Sequence, residues 1–214
     1  MKTKVIILSL LGIASVAAFF GCSSSGYQQA DKTSDVIAEF RSEIIKGKNA
    51  IDATMISLSQ VSETAATDPR KAFEQYSKDV AKLEASASRL RSISQEVKAQ
   101  GKSYFASWEK QLAEVKNPEI RNLAMERKEK LQLNFDVIRQ NVEPLKAKFD
   151  PWMSDLKDLQ KYLGNDLTIA DVNAAKGLKA KTINEGRDVQ KSLDSLVIEL
   201  NTVVASITPA KATK

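Results

Sequence analysis

Histidine is absent from this 214-residue sequence, and cysteine occurs only once, at position 22. Without an imidazole there can be no Ser-His-Asp or Cys-His catalytic pair, no histidine-ligated zinc and no Glu-x-x-His di-iron site. A single cysteine forms neither an internal disulfide nor a thiolate cluster. Glycine (8 residues) and proline (5 residues) are also scarce. The composition therefore favours an all-α protein over a sheet protein or a disordered chain.

The first 21 residues have the pattern of a secretory signal peptide. Lys2 and Lys4 precede an apolar run from Val5 to Phe20. As a helix, that run would span roughly 24 Å, which is short of the ~30 Å hydrocarbon core of a bilayer. A permanent membrane span is therefore the weaker interpretation, and we expect residues 1–21 to be removed on export.

Cys22 stands at the end of this run and is followed by a Ser/Gly-rich segment. The arrangement resembles the lipobox of bacterial lipoproteins, in which signal peptidase cuts before the cysteine and its sulfur is acylated. The resemblance implies that Cys22 is a lipidation site whose acyl chains, palmitate among them, hold the protein durably to a bilayer. The alternative is ordinary cleavage near Ala17 or Ala18, which would leave Cys22 as a free thiol.

Ser23, rather than Asp, follows the cysteine, and in enteric-type sorting this implies the periplasmic face of the outer membrane, with the inner membrane as the alternative. Without Lys2 and Lys4, the 32 basic residues become 30 against 27 acidic ones, a net charge of +3. Because the charges are interleaved rather than gathered in a stripe, we expect no nucleic-acid partner.

Apolar residues recur every three or four positions from Ser34 onward, and Pro, Gly, Asn and Asp mark the breaks. The pattern predicts one elongated antiparallel bundle of four long helices, covering residues 34–207. A lipidated, flexible linker (22–33) precedes it and a disordered tail (208–214) follows. The approximate bounds of the helices are 34–64, 69–115, 118–163 and 168–207.

The second helix carries a strict heptad repeat, which is typical of a coiled coil. Its first seam position recurs at Phe73, Val80, Ala87, Ser94, Gly101, Trp108 and Val115. Because the connection around Pro118 is short, the second and third helices should form an antiparallel hairpin. We expect the small residues Ala87, Ser94 and Gly101 to face the bulky stretch from Phe135 to Trp152. Pro144 and Pro151 predict a kink or local unwinding of the third helix. Simple curvature is the favoured interpretation and a functional hinge is the alternative.

No residue pattern points to catalysis, a cofactor or a metal ion. Asp155 with Asp158, and Glu126 with Glu129, are neighbours on a helix face that could bind a cation weakly, but solvation is the simpler interpretation. Trp108 and Trp152 could line a ligand pocket; their positions on the seams favour a core role. We predict no catalytic, cofactor-binding or metal-binding residues.

Two strings of residues resemble an uncharacterised family of bacterial lipoproteins, a domain of unknown function. The first is Phe105, Trp108-Glu109 and Leu112, an aromatic-x-x-Trp-Glu-x-x-Leu motif. The second string is Phe149-Asp150-Pro151, Leu156, Leu163 and Leu167. The similarity covers about Asp35 to Ile207, and the family implies long helices but no known activity.

These patterns together predict a membrane-anchored periplasmic lipoprotein without enzymatic activity, with a structural, scaffold or partner-binding role in the cell envelope. Its expected partners are the bilayer, through acylated Cys22, and an envelope protein or the cell wall; a homo-oligomer is also compatible with its long polar faces. The alternatives are a membrane-active helical protein that rearranges on lipid, and a carboxylate- or metal-dependent enzyme.

Overall fold

The computed structural model describes residues 26–208, which form five helices and no strand. Four are long, and α4 is a short helix between the third and fourth long ones. Their bounds are α1 Gly26–Glu63, α2 Arg70–Glu114, α3 Pro118–Asn165, α4 Ile169–Ala174 and α5 Lys176–Ile207. The all-α prediction is confirmed for these residues.

The four long helices pack side by side as an up-down-up-down bundle, in the order α1, α2, α3 and α5 around its axis. Ion pairs between α2 and α3 show that the two helices are antiparallel. Arg91 pairs with Asp150, whereas Glu109, farther along α2, pairs with Lys128, which lies earlier in α3. Contacts between α1 and α5 run in the same antiparallel sense and close the ring. The predicted hairpin of the second and third helices is therefore confirmed.

The apolar faces predicted from the sequence converge on one core. Those of the first and last long helices are buried throughout: Ile37, Phe40, Ile44, Ile51, Met55, Leu58, Val189, Leu193, Leu196, Leu200, Val203 and Ile207. On α2, Val80 of the heptad seam and its neighbours Tyr76 and Leu83, one turn away on either side, are at most 2% exposed. Each such buried apolar side chain stabilises the fold by roughly 1.5–3 kcal/mol relative to an exposed one.

The first helix is longer than the sequence predicts. It begins at Gly26 rather than near Ser34, so residues 26–33 form two further turns instead of part of a flexible linker. Ala30 and Thr33 are buried at the end of the bundle, and the Thr33 hydroxyl donates to the Gln29 carbonyl at 2.7 Å. Tertiary packing of these two small side chains therefore stabilises a helix in a segment of largely polar sequence.

The predicted fourth helix is divided in two at Ala175, between α4 and α5. The Thr168 hydroxyl accepts a hydrogen bond from the Asp171 amide at 3.2 Å and so caps α4. The polar first half of α5 is helical, and its Thr182 and Gly186 are buried. Thr208 ends α5 as predicted, while the remainder of the predicted tail lies outside the described residues.

Two predicted helix starts are confirmed with a small shift in one of them. Asn117 Oδ1 accepts hydrogen bonds from the amides of Glu119 and Ile120, at 2.9 and 3.2 Å, and caps α3. At α2 the Asp68 carboxylate accepts from the Arg70 amide at 3.2 Å, but the helix begins at Arg70, one residue after the proline. Both starts therefore use the side-chain oxygen that precedes a proline.

Pro144 and Pro151 are exposed and lie inside an α3 that is helical along its whole length. The core face of α3 stays in phase past both, because Trp152, Leu156 and Leu159 are each at most 1% exposed. The prolines therefore leave the helix unbroken. Within residues 26–208, none of the helices combines the length and apolar character needed to cross a bilayer.

Candidate functional site

A groove lies between α2 and α3, and we call it the α2–α3 groove. Its middle holds a cavity of about 370 Å³ lined by all four long helices. A second cavity of about 370 Å³ lies next to it and shares five lining residues, Phe40, Ser94, Lys98, Val142 and Glu143. From Leu83 to Lys98 of α2 the central cavity extends over roughly 22 Å at the rise of an α-helix.

The groove exists because α2 presents small side chains where α3 does not fill the space. At Gly101 the predicted packing is confirmed: an added Cβ would lie 2.9 Å from the Phe135 ring. At Ala87 and Ser94 it is incomplete, since both line the central cavity together with side chains of α3. Protein interiors are normally close-packed, so a cavity of this size within a helical hairpin is a feature that needs explaining.

The interior of the groove is apolar and its mouth is polar. Interior side chains include Ile44, Leu83, Leu90, Leu145, Phe149 and Leu193. At the mouth, Arg91 Nη2 lies 2.8 Å from Asp150 Oδ1 across the two helices, and Lys98, Glu143 and Lys146 stand nearby. Apolar walls with a few polar groups at the rim are typical of ligand and peptide sites.

Ser86 adds a polar group to the wall of the groove. Its hydroxyl oxygen is buried and has no hydrogen-bond partner among the described residues. It sits beside Gly47 of α1, whose added Cβ would lie 3.5 Å from that oxygen. A buried hydroxyl without a partner is costly, so Ser86 is an unsatisfied polar group where α2 meets α1 beside the groove.

The two tryptophans have different surroundings. Trp152 is 1% exposed and its indole N–H donates to the Thr182 carbonyl at 2.7 Å, which confirms the core role. Trp108 is partly buried and lines a cavity of about 430 Å³ near the start of α1. The Arg127 guanidinium stands over the Trp108 ring at 5.7 Å. Trp108 therefore borders a recess, which the seam pattern did not indicate.

Aromatic rings fill the end of the groove nearest to Trp108. Phe105 meets Phe135 edge-on with ring centroids 5.3 Å apart, and Tyr104 meets Trp108 at 5.6 Å. Burial raises the pKa of Tyr104, and the positive charge of Arg127 partly opposes that rise. The aromatic-x-x-Trp motif of the sequence thus builds a packed wall between the groove and the end of the bundle.

The carboxylates singled out in the sequence all lie on α3. Asp155 pairs with Lys181 at 2.8 Å, and no group of three potential ligands of the His, Cys, Asp or Glu type is found within residues 26–208. The buried carboxylates are two others, Glu43 and Asp79, each 5% exposed. Both pair with a lysine three residues later on the same helix, a spacing that was visible in the sequence.

The predicted lipidation site, Cys22, lies outside the described residues. Gly26, four positions later, begins α1 beside Gln111 near the end of α2. The chain therefore enters the bundle at the end where α2 turns into α3.

Comparisons with known proteins place the chain in one family. No curated protein and no solved structure matches it. A family model described as "Protein of unknown function (DUF2959)" matches residues 20–210, nearly the whole chain. The resemblance to a family of unknown function is thereby confirmed, and the chain belongs to the DUF2959 family.

Proposed function

We propose that this protein is a non-enzymatic lipoprotein of the bacterial cell envelope, anchored through acylated Cys22 to the periplasmic face of the outer membrane. Its helical bundle serves as a partner-binding module. The N-terminal sequence supports the anchor, because a charged start, an apolar run and a cysteine follow one another within 22 residues. Several acyl chains on one cysteine would hold the protein to the bilayer durably.

The α2–α3 groove is the observation that carries the binding role. A bundle acting only as a spacer gains stability by filling such a space, whereas this one keeps small residues at Ala87 and Ser94 and an unpartnered hydroxyl at Ser86. An apolar groove roughly 22 Å long suits the apolar face of a partner helix. We therefore assign the groove to an amphipathic segment of an envelope protein.

The anchor is tested by replacing the acylated residue. Cys22→Ala should lose fatty-acid label and leave the membrane fraction, while the neighbouring control Ser25→Ala should keep both. The reason is that only the cysteine sulfur can carry the thioether-linked lipid. Equal fractionation of both variants, with no label on the wild type, would defeat the anchoring proposal.

The groove is tested by crosslinking in intact cells. A photo-crosslinking amino acid at Gln95, which lines the mouth, should capture one dominant envelope protein, whereas the same group at the exposed neighbour Glu96 should not. The adduct should disappear when Ser94→Leu fills the groove. The same adduct from both positions, or an adduct that persists in Ser94→Leu, would contradict a binding role for the groove.

A further inference from the structure

The turn between α2 and α3 carries exposed apolar side chains at the end of the bundle where the chain enters. We call residues 112–125 the hairpin tip. In it Ile120 is 55% exposed, Leu123 67% and Met125 43%. Ile120 and Leu123 are three residues apart and so share one face of the first turns of α3. Such a cluster at one extremity of a bundle marks a contact surface.

The tip projects past the start of α1. Gly26 lies beside Gln111, and α2 continues for three more residues before the connection to α3. At 1.5 Å per residue the tip therefore reaches roughly 5 Å or more beyond the level of Gly26. The connection is held together by Arg121, whose guanidinium donates to the Val115 carbonyl at 3.1 Å through Nε. The turn that carries the apolar side chains is therefore stabilised by this hydrogen bond.

The short segment between Cys22 and Gly26 limits how far the anchoring membrane can lie from this tip. Four residues span at most about 14 Å when fully extended. A bilayer that holds an acylated Cys22 is therefore within reach of a tip that extends in the same direction. Gly26, where the described chain begins, and the exposed apolar turn lie at the same end of the bundle.

We propose that the hairpin tip inserts Ile120 and Leu123 into the interfacial layer of the bilayer that anchors Cys22, so that the protein rests on the membrane at two points. This inference rests on the lipid anchor proposed above. Two basic residues, Lys116 and Arg121, balance Glu114 and Glu119 within the tip. The insertion is therefore driven by apolar area and does not require anionic lipid.

The experiment uses the full chain, acylated at Cys22, in vesicles of phosphatidylcholine. Acylation blocks the thiol of Cys22, so an environment-sensitive fluorophore reacts only with the cysteine introduced by Leu123→Cys. The matched control is Ile198→Cys, because Ile198 is also 67% exposed but lies on the flank of the bundle, on α5. Ile120→Cys provides a second position in the tip.

We expect nitroxide groups on the acyl chains to quench the fluorophore at the tip at least about threefold more than at position 198, as interfacial side chains lie roughly 5–10 Å deep. The quenching should be the same in about 50 mM and about 500 mM salt, since the tip is neutral. Equal, weak quenching at both positions would overturn the inference. Fluorescence that indicates an apolar environment at the tip, without quenching by the lipid nitroxides, would also overturn the inference, because it would indicate a protein contact.

Flotation of the same vesicles separates this inference from the anchor. If the wild-type chain does not float with vesicles, or if its Cys22 accepts the fluorophore, the anchor fails and the inference fails with it. If the chain floats but the tip is as exposed to water as position 198, only the tip contact is overturned.

Discussion

Replacing Gly186 with alanine should destabilise the bundle, although the same change usually strengthens a helix. Gly186 is buried in α5 where that helix crosses α1 and α3. An added Cβ would lie 2.7 Å from Met55 Sδ and 2.9 Å from Trp152 Cζ2. Ordinary contacts between carbon atoms lie at about 3.5–4.0 Å, so neighbouring atoms must move by more than half an ångström.

Neither neighbour moves easily. Trp152 is 1% exposed and its indole N–H is bonded to the Thr182 carbonyl at 2.7 Å, so displacement of the ring strains that bond. The contacting atom of Met55 is in the middle of its side chain, which is itself in the core. Overpacking of this kind costs about 1–3 kcal/mol, and the helix gain from glycine to alanine offsets about 1 kcal/mol of it.

Because both contacts lie below 3.0 Å, we take the upper part of that range, about 2–3 kcal/mol. After the helix gain, the expected net loss is about 1–2 kcal/mol in the free energy of unfolding, or about 2–8 °C in Tm for a domain of this size. Gly177→Ala is the matched control, because it lies in the same helix and an added Cβ meets nothing within 4 Å. Both changes restrict the unfolded chain equally, so their difference reports the folded state. It contains the packing effect at Gly186 and a smaller part, about 0.5 kcal/mol, from the weaker helix preference near the helix start. Gly177→Ala should gain about 0.5 kcal/mol, since the position is close to the helix start.

Thermal and urea unfolding followed by circular dichroism measure both variants. A Gly186→Ala protein as stable as the wild type would refute the packing argument. Equal losses from both glycine variants would instead place the effect in the helix backbone.

Three further predictions concern single side chains. The Tyr76 hydroxyl donates to the Leu156 carbonyl at 2.6 Å, so Tyr76→Phe should lower the free energy of unfolding by about 1 kcal/mol at pH 7. Burial raises the pKa of Tyr76 above its ordinary value of 10.0. Above pH 10 the unfolded chain therefore releases a proton that the folded protein keeps, and the free energy of unfolding falls by up to about 1.4 kcal/mol per pH unit. Urea unfolding of Tyr76→Phe at high pH should show a shallower fall. Asn117→Ala should cost about 1 kcal/mol through loss of the α3 cap, whereas the exposed Asn122→Ala should cost little; similar losses would refute the cap. Ser94→Leu should fill the groove, increase the free energy of unfolding by about 1 kcal/mol and so raise Tm. A fall in Tm would show that the cavity cannot accept the larger side chain.

The heptad repeat of α2 and the apolar faces of α1, α3 and α5 were predictable because helical periodicity records which side of a helix is buried. The Asn117-Pro118 start was predictable for a similar reason, since a cap acts locally. The predicted end of α3 at residue 163 lies two residues before the observed end at Asn165. The start of α1 was not predictable. Its first two turns depend on Ala30 and Thr33 packing against other helices, and local sequence does not record such contacts.

The candidate site was less predictable than the fold. The small residues of α2 were recognised, and the sequence predicted that bulky residues of α3 would fill the space beside them. That prediction holds at Gly101, where the ring of Phe135 closes the gap, and is incomplete at Ala87 and Ser94, where the groove stays open. The separation of two helices depends on every contact along their length, so a periodic pattern does not reveal where they diverge.

The amino-acid sequence by itself determined the helical class, the buried faces, the antiparallel hairpin and the expectation of a lipidated Cys22, because each depends on local patterns or on the order of residues along the chain. Only the tertiary structure decided that α2 and α3 leave a groove, that Gly186 has no room for a methyl group, and that the hairpin tip lies at the same end as Gly26. These features depend on distances between residues far apart in the chain, and such distances are set when all four long helices pack together.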